Sequence, residues 1–125
     1  MISIFFNERG YVIESDKDSS LKIFDLPERT TTCATALYTF RWYVLNEALS
    51  ALNEMMDPAG KELILYTDSR IVEELNGEIR PDDDYAKRSR AFYISHDLPR
   101  FKIIRVEKCP HSTIERKLNA SKTIA

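Results

Sequence analysis

Glu62-Leu63-Ile64-Leu65-Tyr66-Thr67-Asp68-Ser69, running straight into Arg70-Ile71-Val72-Glu73-Glu74-Leu75-Asn76-Gly77, is the stretch that decides how this chain folds. Leu63 to Tyr66 is a short unbroken apolar run, which reads as a strand buried on both faces of a parallel or mixed sheet. Asp68 stands where that strand runs out. Ser69 is a good N-cap for a helix carrying Ile71, Val72 and Leu75 on one side, and Asn76-Gly77 supplies its stop. A carboxylate at the C-terminal end of a central strand, beside a helix start, is a favoured place for chemistry in such sheets. The plainer role for Asp68 is to cap the helix.

Working outward, 125 residues with 43% apolar and 30% charged content make one ordinary globular domain spanning 1–125, large enough for a core without staples. No apolar run approaches a membrane span, and Met1-Ile2-Ser3-Ile4 opens a strand, not a charged leader. Cys33 and Cys109 are too few for a disulfide framework, so free thiols and a reducing cytoplasm are expected. The net charge of −2 hides an asymmetry: residues 1–85 carry −9 and residues 86–125 carry +7. A basic final third is a footprint for a polyanion, unless it pairs internally with the acidic part.

Before the central strand, Ile2–Phe6 and Tyr11–Glu14 read as a hairpin around Asn7-Glu8-Arg9-Gly10, and Leu21–Phe24 as a third, edge strand. Thr30-Thr31-Thr32 leads into the longest helix, about Cys33 to Met56. Its stripes Leu37, Arg41, Val44, Ala48, Leu52 and Tyr38, Trp42, Leu45, Leu49, Met56 make it apolar over most of its circumference. After the central strand, the aspartates 82–84 are better helix starters than metal ligands, because they cap free N–H groups and suit the macrodipole. The helix they open, about Asp83 to Ser95, is closed by Pro99. Phe101–Val106 is the fifth strand, and Cys109-Pro110-His111 turns the chain into a last helix with Ile114, Leu118 and Ile124 inward.

The resulting order βββαβααβα, an α/β chain with a five-stranded mixed sheet, resembles the ribonuclease H family. The resemblance rests on Tyr66-Thr67-Asp68-Ser69 in the fourth strand and on Thr30-Thr31-Thr32-Cys33-Ala34-Thr35-Ala36-Leu37 leading into the long helix. Ile71-Val72-Glu73-Glu74-Leu75-Asn76-Gly77-Glu78 is similar to the compact bacterial and archaeal branch. Enzymes of the family cut the RNA strand of RNA–DNA hybrids with two divalent metals held by carboxylates. Two cations about 4 Å apart need a concentration of negative charge around them.

Carried over position by position, the resemblance implies a partly dismantled site. The first-strand aspartate falls on Asn7 and the glutamate of the long helix on Ala36, while the fourth-strand aspartate is present as Asp68. The last-helix carboxylate falls on Glu115 if the final strand is aligned without a gap, or on Arg116 if the apolar pattern of the helix sets the register. The expectation is therefore a ribonuclease H-like domain, not a working enzyme, that acts by binding RNA–DNA hybrid, duplex or a protein partner, with no cofactor. Its nucleic-acid contacts would come from Lys87, Arg88, Arg90, Lys108, Arg116 and Lys117. The alternative is a Mg²⁺- or Mn²⁺-dependent nuclease with a rearranged site of Asp68 and Glu115, helped by Glu8 or Asp25, Asp68 being the one weak metal position.

Other chemistry fits poorly. A zinc site from Cys33, Cys109 and His111 would need His96 to join it, and Pro110 disfavours a Cys109–His111 nucleophilic pair. With Gly10, Gly60 and Gly77 as the only glycines, there is no phosphate-cradling loop.

Overall fold

The computed structural model describes residues 1–15, 19–24, 34–55, 61–68, 71–81 and 84–124, with backbone alone for 34–38, 104 and 120–124. The strands are β1 (Ile2–Asn7), β2 (Gly10–Glu14), β3 (Ser19–Ile23), β4 (Glu62–Thr67) and β5 (Lys102–Lys108). The helices are α1 (Ala34–Met55), α2 (Ile71–Leu75), α3 (Asp84–Phe92), a π-helical turn (Tyr93–Asp97), α4 (Leu98–Arg100) and α5 (His111–Ile124). The lead-in to α1, Asp25, Cys33, Met56 and the Ser69 cap lie outside the described residues.

The strands form one sheet in the order β3-β2-β1-β4-β5. β1, β2 and β3 pair antiparallel as the short turns require, and β1, β4 and β5 run parallel because helices connect them. Alternation along β1 sends Ile2, Ile4 and Phe6 to one face, where they meet Tyr11, Ile13, Leu63, Leu65 and the buried side of α1. Trp42, Val44, Leu45, Ala48 and Leu52 of that helix are fully buried, as the two stripes expect at these positions, while the side chains of Leu37, Tyr38 and Met56 lie outside the described residues. The opposite face is covered by α5, whose Ile114 and Leu118 pack with Val12 and Leu21. Gly10 is required at the start of β2, since a Cβ there would run into the Lys22 carbonyl and the Ile23 Cα of the neighbouring strand.

Helix α2 stops as the sequence indicates. Gly77 takes φ +79°, the Glu78 N–H reaches the Glu73 carbonyl at 2.8 Å, and the Gly77 N–H reaches Glu74 at 3.2 Å. That pairing is a Schellman closure.

Pro99 does not close the next helix. Instead the helix widens into the π turn, in which the Leu98 N–H reaches the Tyr93 carbonyl, and helical geometry continues to Arg100. Proline is tolerated here because it falls just after the widened turn and one residue before the last residue of the helix, so a single ladder bond at the helix end is all it gives up.

The π turn buries a carboxyl. Asp97 is 3% exposed, and burial raises its pKa against the opposing pull of His96 and Arg100. For an acid held above its unfolded value, the stabilising contribution is complete below the unfolded pKa and is lost as pH rises through the folded one. Asp97→Asn is therefore expected to raise the melting temperature at neutral pH. The gain should fade as the pH is lowered to about 3, below the unperturbed aspartate pKa, and melting curves across that interval check it.

Candidate functional site

Parallel pairing of β1 with β4 places Phe6 opposite Thr67, so Asn7 and Asp68 emerge side by side at the carboxyl ends of the two central strands. There β1 has an antiparallel neighbour on one side and a parallel one on the other, and the crevice opens at that change. β5 then brings its own end alongside. Lys108 pairs with Thr67, and the Cys109 N–H donates to the Thr67 carbonyl at 2.9 Å. The turn at Cys109-Pro110 starts α5 with His111 and Glu115 one helical turn apart, both facing the strand ends.

These residues form one connected cluster. Asn7 is fully buried; its Nδ2 donates to Glu115 Oε1 at 3.0 Å and its Oδ1 accepts from the Arg9 N–H at 2.8 Å. The second of these bonds is an Asx turn that shapes the β1–β2 corner. The Arg9 guanidinium pairs with Glu115 Oε2. Asp68 Oδ2 pairs with His111 Nδ1, and the other imidazole nitrogen lies 3.4 Å from Glu115 Oε1. Asp68 Oδ1 is buried with no hydrogen-bond partner.

The register of the last helix is thereby decided. Glu115 faces Asn7 and Asp68, whereas Arg116 is exposed. Arg116 fails because Ile114 and Leu118 take the buried positions of α5 and turn the intervening Arg116 away from the sheet.

Glu8 does not bend back to the cluster. It accepts from Arg41 of α1 at 2.9 Å and ties the corner to that helix, so it is spoken for as a metal ligand. Arg41 thus leaves the apolar stripe in which its spacing placed it. The side chain at Ala36 is outside the described set, but a methyl group offers no ligand atom.

A pair of divalent cations does not fit this donor set. Among the described residues two carboxylates reach the crevice, and three of their four oxygens are already held by Asn7, Arg9 and His111. No group of three or more His, Cys, Asp or Glu side chains among the described residues is arranged to hold a metal. Sequence reasoning missed Arg9 and His111 as members of this cluster, where they pair with Glu115 and Asp68. The signals were there: an Asn-x-Arg corner that folds back on itself, and a His/Glu pair at i,i+4.

The zinc set that the sequence disfavoured is not brought together among its described members either. His96 lies in the π turn, with Nδ1 3.0 Å from Asp97 Oδ1, while His111 is with Asp68. Burial pushes the Cys109 thiol up, against a Thr113 hydrogen bond, which keeps it protonated and a poor nucleophile.

The basic residues divide. Lys108 pairs with Glu73 at 2.5 Å, Lys117 pairs with Glu14 at 2.8 Å and lies over the Phe5 ring, and Arg90 Nε donates to the Glu74 carbonyl at 2.8 Å. Lys108 and Lys117 of the basic third, with Lys102 beside Glu62, therefore pair with carboxylates of the acidic part of the chain. Lys87, Arg88 and Arg116 are exposed.

The fold matches solved structures over its whole length. The ribonuclease H1 of the halophilic archaeon Halobacterium salinarum NRC-1 superposes with TM-score 0.69 at 18% identity, covering 99% of this chain and 98% of that one. LC11-RNase H1, isolated from compost by a metagenomic approach, gives TM-score 0.71 at 18% identity over the same shares. Its complex with an RNA/DNA hybrid gives 0.70 at 16% over 100% of both chains. No family model matches the sequence, and no curated protein does. At these identities the likeness is one of fold: this chain folds as a ribonuclease H.

Proposed function

We propose that this ribonuclease H fold serves as a nucleic-acid-binding domain for RNA–DNA hybrid or duplex RNA and does not cut what it binds. The observation that supports this most is that Glu115 has both carboxylate oxygens engaged by protein donors, Asn7 and Arg9 among them. With Asn7 contributing an amide and Ala36 a methyl group, the crevice lacks the negative charge that two cations require. Binding needs less: duplexes of A-like form are recognised through backbone shape, 2′-OH groups and phosphates, for which exposed cationic side chains suffice. Lys87, Arg88 and Arg116 are the residues offered for that contact, with Lys108 and Lys117 exchanging carboxylate partners for phosphate.

One observation favours the nuclease reading. The unpartnered Asp68 Oδ1 has an open valence for a single cation. A cleavage assay on hybrid with Mg²⁺ and Mn²⁺, comparing the natural chain with Asp68→Asn, separates the two. We expect no cleavage above the variant; cleavage that Asp68→Asn abolishes would establish the enzyme.

Binding itself is tested by fluorescence anisotropy of labelled hybrid against salt concentration. Replacing Lys87 and Arg88 together by alanine is expected to lower the slope of log affinity against log salt by about 2. If the natural chain binds no hybrid or duplex even at low salt, the domain's partner is a protein.

A further inference from the structure

The surface of residues 85–101 carries charge of one sign. Lys87, Arg88, His96 and Arg100 are exposed along it. Its one carboxyl, Asp97, is buried and faced by His96 and Arg100. The same stretch exposes bulky apolar groups: Phe92 is 51% exposed, Ile94 43% and Leu98 41%. A single exposed apolar side chain is ordinary. Three of them on successive turns of one continuous helical segment, interleaved with cations, mark an interaction surface.

Beside Phe92 the ridge dips into a cleft of roughly 130 Å³ between α1 and the π turn, lined among others by Leu49, Asn53, Phe92, His96, Arg100 and Phe101. That volume is close to the about 150 Å³ of an apolar cavity that takes one benzene ring. The cations at its edge are held in position. Arg100 Nε donates to Asn53 Oδ1 at 2.8 Å, and His96 stacks on Phe92 with centroids 4.5 Å apart. Arg88 is one helical turn before Phe92 on α3 and so lies beside it. The carboxylates of α1 stay clear, since Glu47 and Glu54 both act on Tyr11 of β2, whose phenol they push up.

We infer that this ridge docks an acidic segment of a partner protein, one bulky apolar side chain of the segment seated in the cleft and its carboxylates set against Arg88, His96 and Arg100. Charge complementarity selects this occupant. The phosphates of a duplex would engage the cations but leave Phe92, Ile94, Leu98 and the cleft without a use. An anionic lipid surface is flat and would leave the cleft unfilled. A second copy of the chain docking through the same patch would set cation against cation. An acidic segment with an apolar anchor meets both demands: a desolvated pocket contact supplies affinity, and the surrounding charges supply orientation and partner choice. Arginine suits the second role, because its planar fork accepts a carboxylate through two parallel hydrogen bonds. The inference does not depend on the strand-end site or on hybrid binding.

The test titrates the natural chain with a fluorescent peptide of aspartates around a single phenylalanine. Companion peptides carry alanine in place of the phenylalanine, or lysines in place of the aspartates. The expected result is binding that the phenylalanine strengthens about tenfold, the worth of burying part of one ring. It should weaken as salt is raised and be absent with the lysine peptide. In ¹⁵N-labelled protein the amide signals of Phe92, His96 and Arg100 should move. Phe92→Ala and Arg100→Glu should each weaken the acidic peptide about tenfold, and Phe92→Ala should leave the hybrid affinity in place. Both side chains are exposed, and Leu98→Ala, also on the surface, keeps the test open if Arg100→Glu disturbs the end of the helix. No binding of the acidic peptide, equal binding of its phenylalanine and alanine forms, or signals moving only outside the ridge overturns the inference. So does undiminished binding in the variants. Capture of the chain by phosphatidylglycerol vesicles, or its self-association, without a response to the peptide would hand the ridge to a membrane or to a second copy and likewise overturns it.

Discussion

Asn7→Asp, a change of one amide to a carboxylate, is expected to destabilise the protein by about 3 kcal/mol in the absence of divalent metal, the order found when a buried charge is left facing its like. The amide now donates to Glu115 Oε1 across 3.0 Å in a fully buried position. A carboxylate of the same shape keeps the bond from the Arg9 N–H but turns the other contact into two acceptors facing each other. Like-charged neighbours raise each other's pKa. The deficit is then largest at neutral pH and shrinks as the pH falls and one group takes a proton. Adding Mn²⁺ should recover part of the loss, because the variant brings a third carboxylate to the crevice and bound metal stabilises only the folded chain. Melting temperatures of both proteins with Mn²⁺ and with chelator measure this directly. Equal stability of variant and natural chain without metal would mean that the Asn7–Glu115 bond carries no weight. Mn²⁺ stabilising the natural chain as strongly as the variant would mean that the crevice already holds a cation.

That cluster also marks how far the sequence could be read. The strand–Asp68–helix stretch was legible because its signals are local: an apolar run, a change of period and a Gly-terminated helix. Strand order followed from it, since short turns force antiparallel pairing and helical connections force parallel pairing. Whether Glu115 or Arg116 faces the crevice was not legible, because the ungapped final strand favoured Glu115 and the apolar pattern favoured Arg116, and only the contact with Asn7 decides between them. Arg9 and His111 were missed for a related reason. The Asn-x-Arg corner and the i,i+4 His/Glu pair are local hints, but the partners that complete the cluster lie 106 and 43 residues away, beyond the reach of any local pattern. Pro99 misled because its cost depends on the hydrogen-bond ladder it meets, and the widened π turn just before it has no sequence signature of its own.

The largest loss of stability is expected from Trp42→Ala, which removes the biggest fully buried side chain from the joint between α1, the sheet and α2. Truncating a buried tryptophan costs about 3–5 kcal/mol from lost transfer energy and the residual cavity. Here a second cost is added. The indole Nε1 donates to Glu74 Oε2 at 3.2 Å, and Glu74 is itself fully buried on α2. Depriving a buried carboxylate of a donor costs about 1–3 kcal/mol more, so the sum approaches the whole stability of a domain this size, commonly about 5–15 kcal/mol. Trp42→Phe separates the two contributions, since it keeps most of the volume and loses the N–H. In urea unfolding, Trp42→Phe should cost clearly more in the natural background than in one that also carries Glu74→Leu, where no carboxylate remains to be deprived. The same cost in both backgrounds would mean that the indole N–H contributes nothing and that volume alone matters. The consequence reaches the crevice. α2 begins three residues after Asp68, and its Glu74 is the group through which Trp42 of α1 holds it. If that latch sets where β4 ends, Trp42→Phe should also shift the ¹⁵N signals of His111, whose Nδ1 pairs with Asp68.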